Sequence, residues 1–120
     1  MLHQPEAVRQ RESRRFADNE AEYMAAVQTA VREAEGIPVD TEVRVSLPAA
    51  YEDLSDEGDV WVNHVLDQGL VVEFPRTVGL LGQSRSLVYC TEDWTTSELV
   101  AWRYDEVEAL GDGWFLTYVY

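Results

Sequence analysis

Residues 111–120 read GDGWFLTYVY, and whether this run is a tail or a strand decides the fold. Chain ends usually lose order and hydrophobicity, yet Trp114, Phe115, Leu116, Tyr118, Val119 and Tyr120 crowd the last seven positions. Aromatic and β-branched residues favour strands, and Asp112-Gly113 ahead of them is a strong hairpin signal. The stretch therefore predicts a closing strand. With Asp112 and Gly113 as the two turn residues, Leu110 pairs with Phe115, Ala109 with Leu116, Glu108 with Thr117 and Val107 with Tyr118. One face then carries Val107, Ala109, Trp114, Leu116 and Tyr118 and turns inward. Trp114, Leu116 and Tyr118 each contribute about 1.5–3 kcal/mol when fully buried. Phe115 and Val119 lie on the opposite, less apolar face. Left uncovered, they are candidate contacts for a partner.

Immediately before this hairpin, TTSELVAWRYDEVEALG (residues 95–111) fits two periods. As a strand over residues 98–104, Val100, Trp102 and Tyr104 alternate with Leu99, Ala101 and Arg103. As a helix, Thr95 and Glu98 form a capping box, Leu99, Val100, Tyr104, Val107 and Leu110 share one broad face, and Gly111 ends it. The strand is preferred. A bulge or turn near Asp105 then resets the register so that both apolar sets face the core.

Further back the signals are plainer. In DNEAEYMAAVQTAVREAEG, Tyr23, Val27, Ala30, Val31 and Ala34 form an apolar stripe at helical spacing. Asn19 or Asp18 is placed to cap this helix, Glu22 completes a capping box, and Gly36 offers a left-handed stop. Phe16 extends the stripe if residues 6–17 are helical too. The period then changes to two: Val43, Val45 and Leu47 alternate with Glu42, Arg44 and Ser46. PAAYEDLSDEGD reads as a helical turn or loop. VWVNHVL, the turn DQG and LVVEF make a hairpin ending at Pro75, which has no N–H for a ladder. TVGLLGQSRS reads as a loop, and SLVYC as the next strand. The fold class is α+β: an N-terminal helix, then a mainly antiparallel, curved or barrel-like sheet of about five or six short strands. Residues 1–17 form a basic polar arm or helix extension, and residues 18–120 a single domain.

The 120 residues carry a net charge of −14, from 23 acids against nine arginines and no lysine. Excess acid and missing lysine suit a halophilic or high-GC source, where the charge adapts the surface to its solvent. The charge is uneven. Residues 1–17 hold Arg9, Arg11, Arg14 and Arg15 against Glu6 and Glu12, whereas the rest holds five arginines against 21 acids. Such an arm is complementary to the acidic body of another copy. Direct nucleic-acid binding is disfavoured, because the body repels phosphates.

The remaining motifs are incomplete. Asp53, Ser55, Glu57 and Gly58 match part of a calcium loop, but its twelfth position is His64, where the loop requires Glu. Gly82 and Ser84 match the start of a nucleophile elbow whose second glycine is replaced by Ser86. His64, alternating with Val62 and Leu66, reads as a partly buried, hydrogen-bonded histidine. Cys90 reads as an inert buried thiol; being the only cysteine, it excludes an internal disulfide and a cysteine-based zinc site. No apolar segment of signal-peptide or membrane-spanning length is present. The sequence thus predicts no cofactor or metal, no membrane insertion, and a cytoplasmic or virion location. Functionally it predicts a non-enzymatic protein–protein assembly or adaptor module, such as a small virion or phage component. The predicted partner is another protein, as a homo-oligomer or larger assembly, with Arg9, Arg11, Arg14, Arg15, Phe115 and Val119 as contacts. The alternatives are an acidic inhibitor (immunity protein, antitoxin or DNA mimic) that binds a basic enzyme surface, and an enzyme of unknown class.

Overall fold

The computed structural model describes residues 6–78 and 83–120. Two helices come first, α1 (Glu6–Asp18) and α2 (Glu20–Glu33). Asn19 makes the joint between them. It was expected to cap α2, but its Nδ2 turns back and donates to the Arg15 carbonyl at 2.8 Å, closing α1 instead. Beyond α2, Gly36 has a φ of +83°, as a left-handed stop requires.

Six strands follow: β1 (Thr41–Ser46), β2 (Asp59–Val65), β3 (Gly69–Val78), β4 (Ser84–Cys90), β5 (Glu106–Gly111) and β6 (Trp114–Val119). A short 3-10 segment, Ala49–Leu54, lies between β1 and β2. The sheet is antiparallel in the order β1-β2-β3-β4-β6-β5, so it stays open with β1 and β5 as edges and is not closed into a barrel. The fold is thus the expected α+β arrangement of helix and antiparallel sheet.

Three local expectations are corrected. First, β3 does not stop at Pro75 but runs through it, with a bulge between Pro75 and Thr77. The N and O of a strand residue face the same side. The Pro75 carbonyl accepts from the Asp56 N–H at 2.8 Å, so its missing donor lies where pairing with β2 has already ended. A proline is tolerated on such a local edge. The neighbouring β4 begins at Ser84, within the stretch read as a loop; residues 79–82 of that stretch lie outside the described residues.

Second, residues 96–102 are helical, not extended: α3 (Thr96–Trp102) starts with a complete capping box. The Glu98 N–H donates to Thr95 Oγ1 at 3.1 Å, and the Thr95 N–H donates to Glu98 Oε1 at 2.8 Å. That bond holds the Glu98 carboxyl below the ordinary range. Leu99 is fully buried, whereas Val100 is 44% exposed, which fits one buried helix face and not a buried strand.

Third, the last hairpin has the expected turn but a different register. Asp112 and Gly113 have φ of 53° and 89°, as a two-residue turn of this type requires. A bulge between Ala109 and Gly111 then shifts the pairs to Ala109↔Phe115, Glu108↔Leu116, Val107↔Thr117 and Glu106↔Tyr118. One extra residue reverses every side chain beyond it. Val107 therefore joins Phe115, while Glu106 and Glu108 turn to the face beneath α1.

Each face of the sheet has its own core. Beneath α1 and α2 lie Val60, Val62, Val72, Phe74, Leu87, Trp114, Leu116 and Tyr118, meeting Phe16, Tyr23, Ala26, Val27 and Ala30. The Trp114 ring is 5.0 Å from both Phe16 and Tyr89. On the other face, α3 covers Val71, Val88, Cys90 and Phe115 with Leu99 and Tyr104.

Candidate functional site

The arginines of α1 divide by helix face. Phe16 and Glu12 are buried, and on the same side Ser13 donates to Glu108 at 3.1 Å. Arg9 pairs with Glu106 and stands 5.5 Å over the Tyr118 ring. Burial pushes the Tyr118 hydroxyl up to about 12, against the opposing pull of Arg9. Arg9 is thus engaged within its own chain. Arg11, Arg14 and Arg15, at i, i+3 and i+4, form an exposed strip on the opposite side. Among the described residues Arg11 and Arg14 have no ion pair.

One end of the strip meets an acidic loop. Arg15 Nη2 donates to the Asp53 carbonyl at 3.1 Å, which brings the strip beside Glu52, Asp53, Asp56 and Glu57, all exposed. Glu57 is paired with Arg44 at 3.1 Å. Glu52, Asp53 and Asp56 have no ion pair among the described residues. A basic strip and an acidic loop therefore adjoin on one side of the molecule. The partial calcium-loop match ends differently: Ser55 is 5% exposed, its hydroxyl turned inward onto the Asp59 carbonyl. Other exposed carboxylates are dispersed, with Glu20, Glu22, Glu33 and Glu35 in or just beyond α2 and Asp67, Glu92, Asp93, Asp105 and Asp112 at the loops.

Phe115 is not available as a contact. It is 6% exposed, because α3 crosses over it. Val119 is half-buried against the same cluster. Cys90 is 3% exposed, and burial pushes its thiol up to about 12, well away from nucleophilic character. Ser84 of the elbow match is the first residue of β4; Gly82 lies outside the described residues.

The α3 face also carries polar groups that residue patterns did not single out. Glu73 accepts a hydrogen bond from the Tyr104 hydroxyl. Burial pushes its carboxyl above the ordinary range, opposed by that bond and by the charge of Arg103. Arg103 lies 4.3 Å over the Trp102 ring, pairs with Glu42 at 3.2 Å, and donates to Asn63 Oδ1 at 3.2 Å. These groups tie the end of α3 to β1, β2 and β3. The signal was a lone acid in LVVEF and a lone amide in VWVNHV, each inside an apolar strand. Beside them a cleft of about 280 Å³ opens around Arg44, Asp59, Trp61, Glu73, Pro75 and Ser86.

A larger concavity lies elsewhere, between α2 and the sheet. This groove of about 670 Å³ is walled by Met24, Val27, Val31, Ile37, Leu70 and Tyr89, with Gln28, Arg32, Glu35 and His64 among its polar residues. His64 is half-buried, and its Nδ1 lies 2.9 Å from the Ile37 carbonyl, to which it donates. No helix among the described residues is long and apolar enough to cross a membrane. No family model, curated protein or solved structure matches the chain.

Proposed function

We propose that the protein is a non-enzymatic assembly module that associates with copies of itself through α1 and the acidic loop. The observation that carries this reading is the hydrogen bond from Arg15 to the Asp53 carbonyl, which sets a basic strip beside acids that have no ion pair among the described residues. Such a patch is self-complementary. In a two-fold dimer, the Arg11, Arg14 and Arg15 strip of one protomer meets Glu52, Asp53 and Asp56 of its partner, and the reverse contact forms at the same time. The acidic-inhibitor reading draws less support, since exposed carboxylates occur along the whole chain and the cluster at residues 52–57 adjoins an arginine strip.

A charge-swap experiment tests it. Sedimentation velocity at about 0.1 M salt should show a dimer that weakens towards 1 M, as the screening length falls from about 10 Å to about 3 Å. Arg11→Glu/Arg14→Glu and Glu52→Lys/Asp53→Lys should each weaken self-association at least about tenfold. Mixing the two variants should restore it, because both contact sets become attractive again. A wild-type monomer at all salt concentrations, or a mixture that fails to associate, would refute the reading.

A further inference from the structure

We propose that the groove between α2 and the sheet binds a single-chain carboxylate amphiphile, with its alkyl chain against Val27, Val31, Ile37 and Leu70 and its carboxylate at Arg32. The groove shares no residue with the α1 strip and goes beyond the assembly role. Its volume, about 670 Å³, lies within the range of ligand pockets, which are mainly apolar with a few placed polar groups. Val31, Ile37, Leu70 and Met24 are only partly buried, so the walls keep apolar surface that a chain would cover.

Arg32 is the group at the groove that would hold the head. A surface with a net charge of −14 repels anions in general. At this groove, however, Arg32 is exposed and has no ion pair among the described residues, and Glu35 is the one acid on the lining. Arg32, at the edge of an apolar trough, is the group that a ligand with one anionic head and one tail would meet, with Glu35 as the opposing charge of the lining. The wall is also held in place before any ligand arrives, because His64 donates to the Ile37 carbonyl at 2.9 Å.

The sequence supplies its own reporters. Ile37 is the only isoleucine, and Met24 is one of two methionines, so their ¹³C-methyl resonances read the groove without ambiguity. Titration of the full chain with octanoate, decanoate and dodecanoate, each below its micelle concentration, should give saturable shifts of both methyls. Affinity should rise roughly two- to fourfold per added CH₂. Dodecyltrimethylammonium should bind at least tenfold more weakly than dodecanoate, and Arg32→Glu should remove that preference. Arg32 is exposed, so an otherwise unchanged methyl spectrum verifies folding of the variant. Val31→Trp, which fills the trough, should abolish the shift of the Ile37 methyl. Absence of saturable shifts, affinity independent of chain length, or equal binding of cation and anion would overturn the proposal. So would an Ile37 shift that follows protein concentration alone, which would place a second copy in the groove.

Discussion

The two faces of the sheet solve the same burial problem with different material. Under α1 and α2 the cover is long, and the buried layer is apolar and aromatic, centred on Trp114. Under α3 the cover is seven residues long, and the layer includes Glu73 and Asn63 within hydrogen-bonding reach of Tyr104 and Arg103. A short helix shields only part of a sheet. Where its cover ends, the strands carry polar groups, and the residues that leave α3 supply their partners. One exception on the first face confirms the logic: buried Glu12 is met by Arg76 at 3.7 Å and Arg85 at 3.8 Å, since a buried charge is tolerated only when paired.

The sharpest way to break this contrast is truncation on each side. Trp114→Ala should cost about 3–5 kcal/mol, enough to threaten folding, because the surrounding rings cannot close on so large a void. Leu99→Ala should cost less, near the lower end of about 2–5 kcal/mol, because the α3 side is nearer to solvent and collapses more readily. Urea denaturation of both variants checks the order; equal losses would mean that the two cores are equally rigid.

The half-buried acid Glu73 sharpens the contrast through pH. Burial raises the Glu73 carboxyl in the folded chain above its ordinary value of 4.5, so the folded state holds this proton more tightly than the unfolded state. Stability contributed at this position therefore falls as pH rises from about 4.5 through the raised value, and the loss is complete above it. Glu73→Gln keeps an acceptor for Tyr104 and removes the ionisation. Its melting temperature should exceed that of the wild type at pH 7, and the difference should shrink as pH approaches 4. A variant that is less stable at pH 7 would show that the charged carboxylate is needed by Arg103. The smallest effect concerns the start of α3. Thr95→Ala should cost about 1 kcal/mol or less and speed amide exchange across α3, while leaving α2 unchanged.

Much of the fold was legible where a signal was local and long. In α2 and at its C-cap the stripe through Tyr23, Val27, Ala30 and Ala34 has helical spacing, and all four are buried. The strand β6 was legible because its aromatic run followed a turn whose residues accept positive φ. The segment at residues 96–102 was not, since over seven residues a helical and an alternating pattern match the same apolar positions, and the deciding capping box was one of two readings. The register of β5 was missed for a similar reason: no residue type announces a bulge at Leu110, yet it moved Val107 to one face and Glu106 and Glu108 to the other. Of the candidate contacts, Arg11, Arg14 and Arg15 could be read as a strip from their spacing, whereas Phe115 could not be known to lie beneath α3.

Composition and periodicity by themselves determined the class of the fold, the helix at α2, the hairpin turns and the acidic surface, because each depends on residues within a few positions of one another. The tertiary structure alone decided which acids are buried, what covers Phe115, that Arg9 turns to Glu106, and that the arginine strip adjoins residues 52–57. Those outcomes depend on chain segments tens of residues apart coming within a few ångströms, and a local pattern carries no record of that distance.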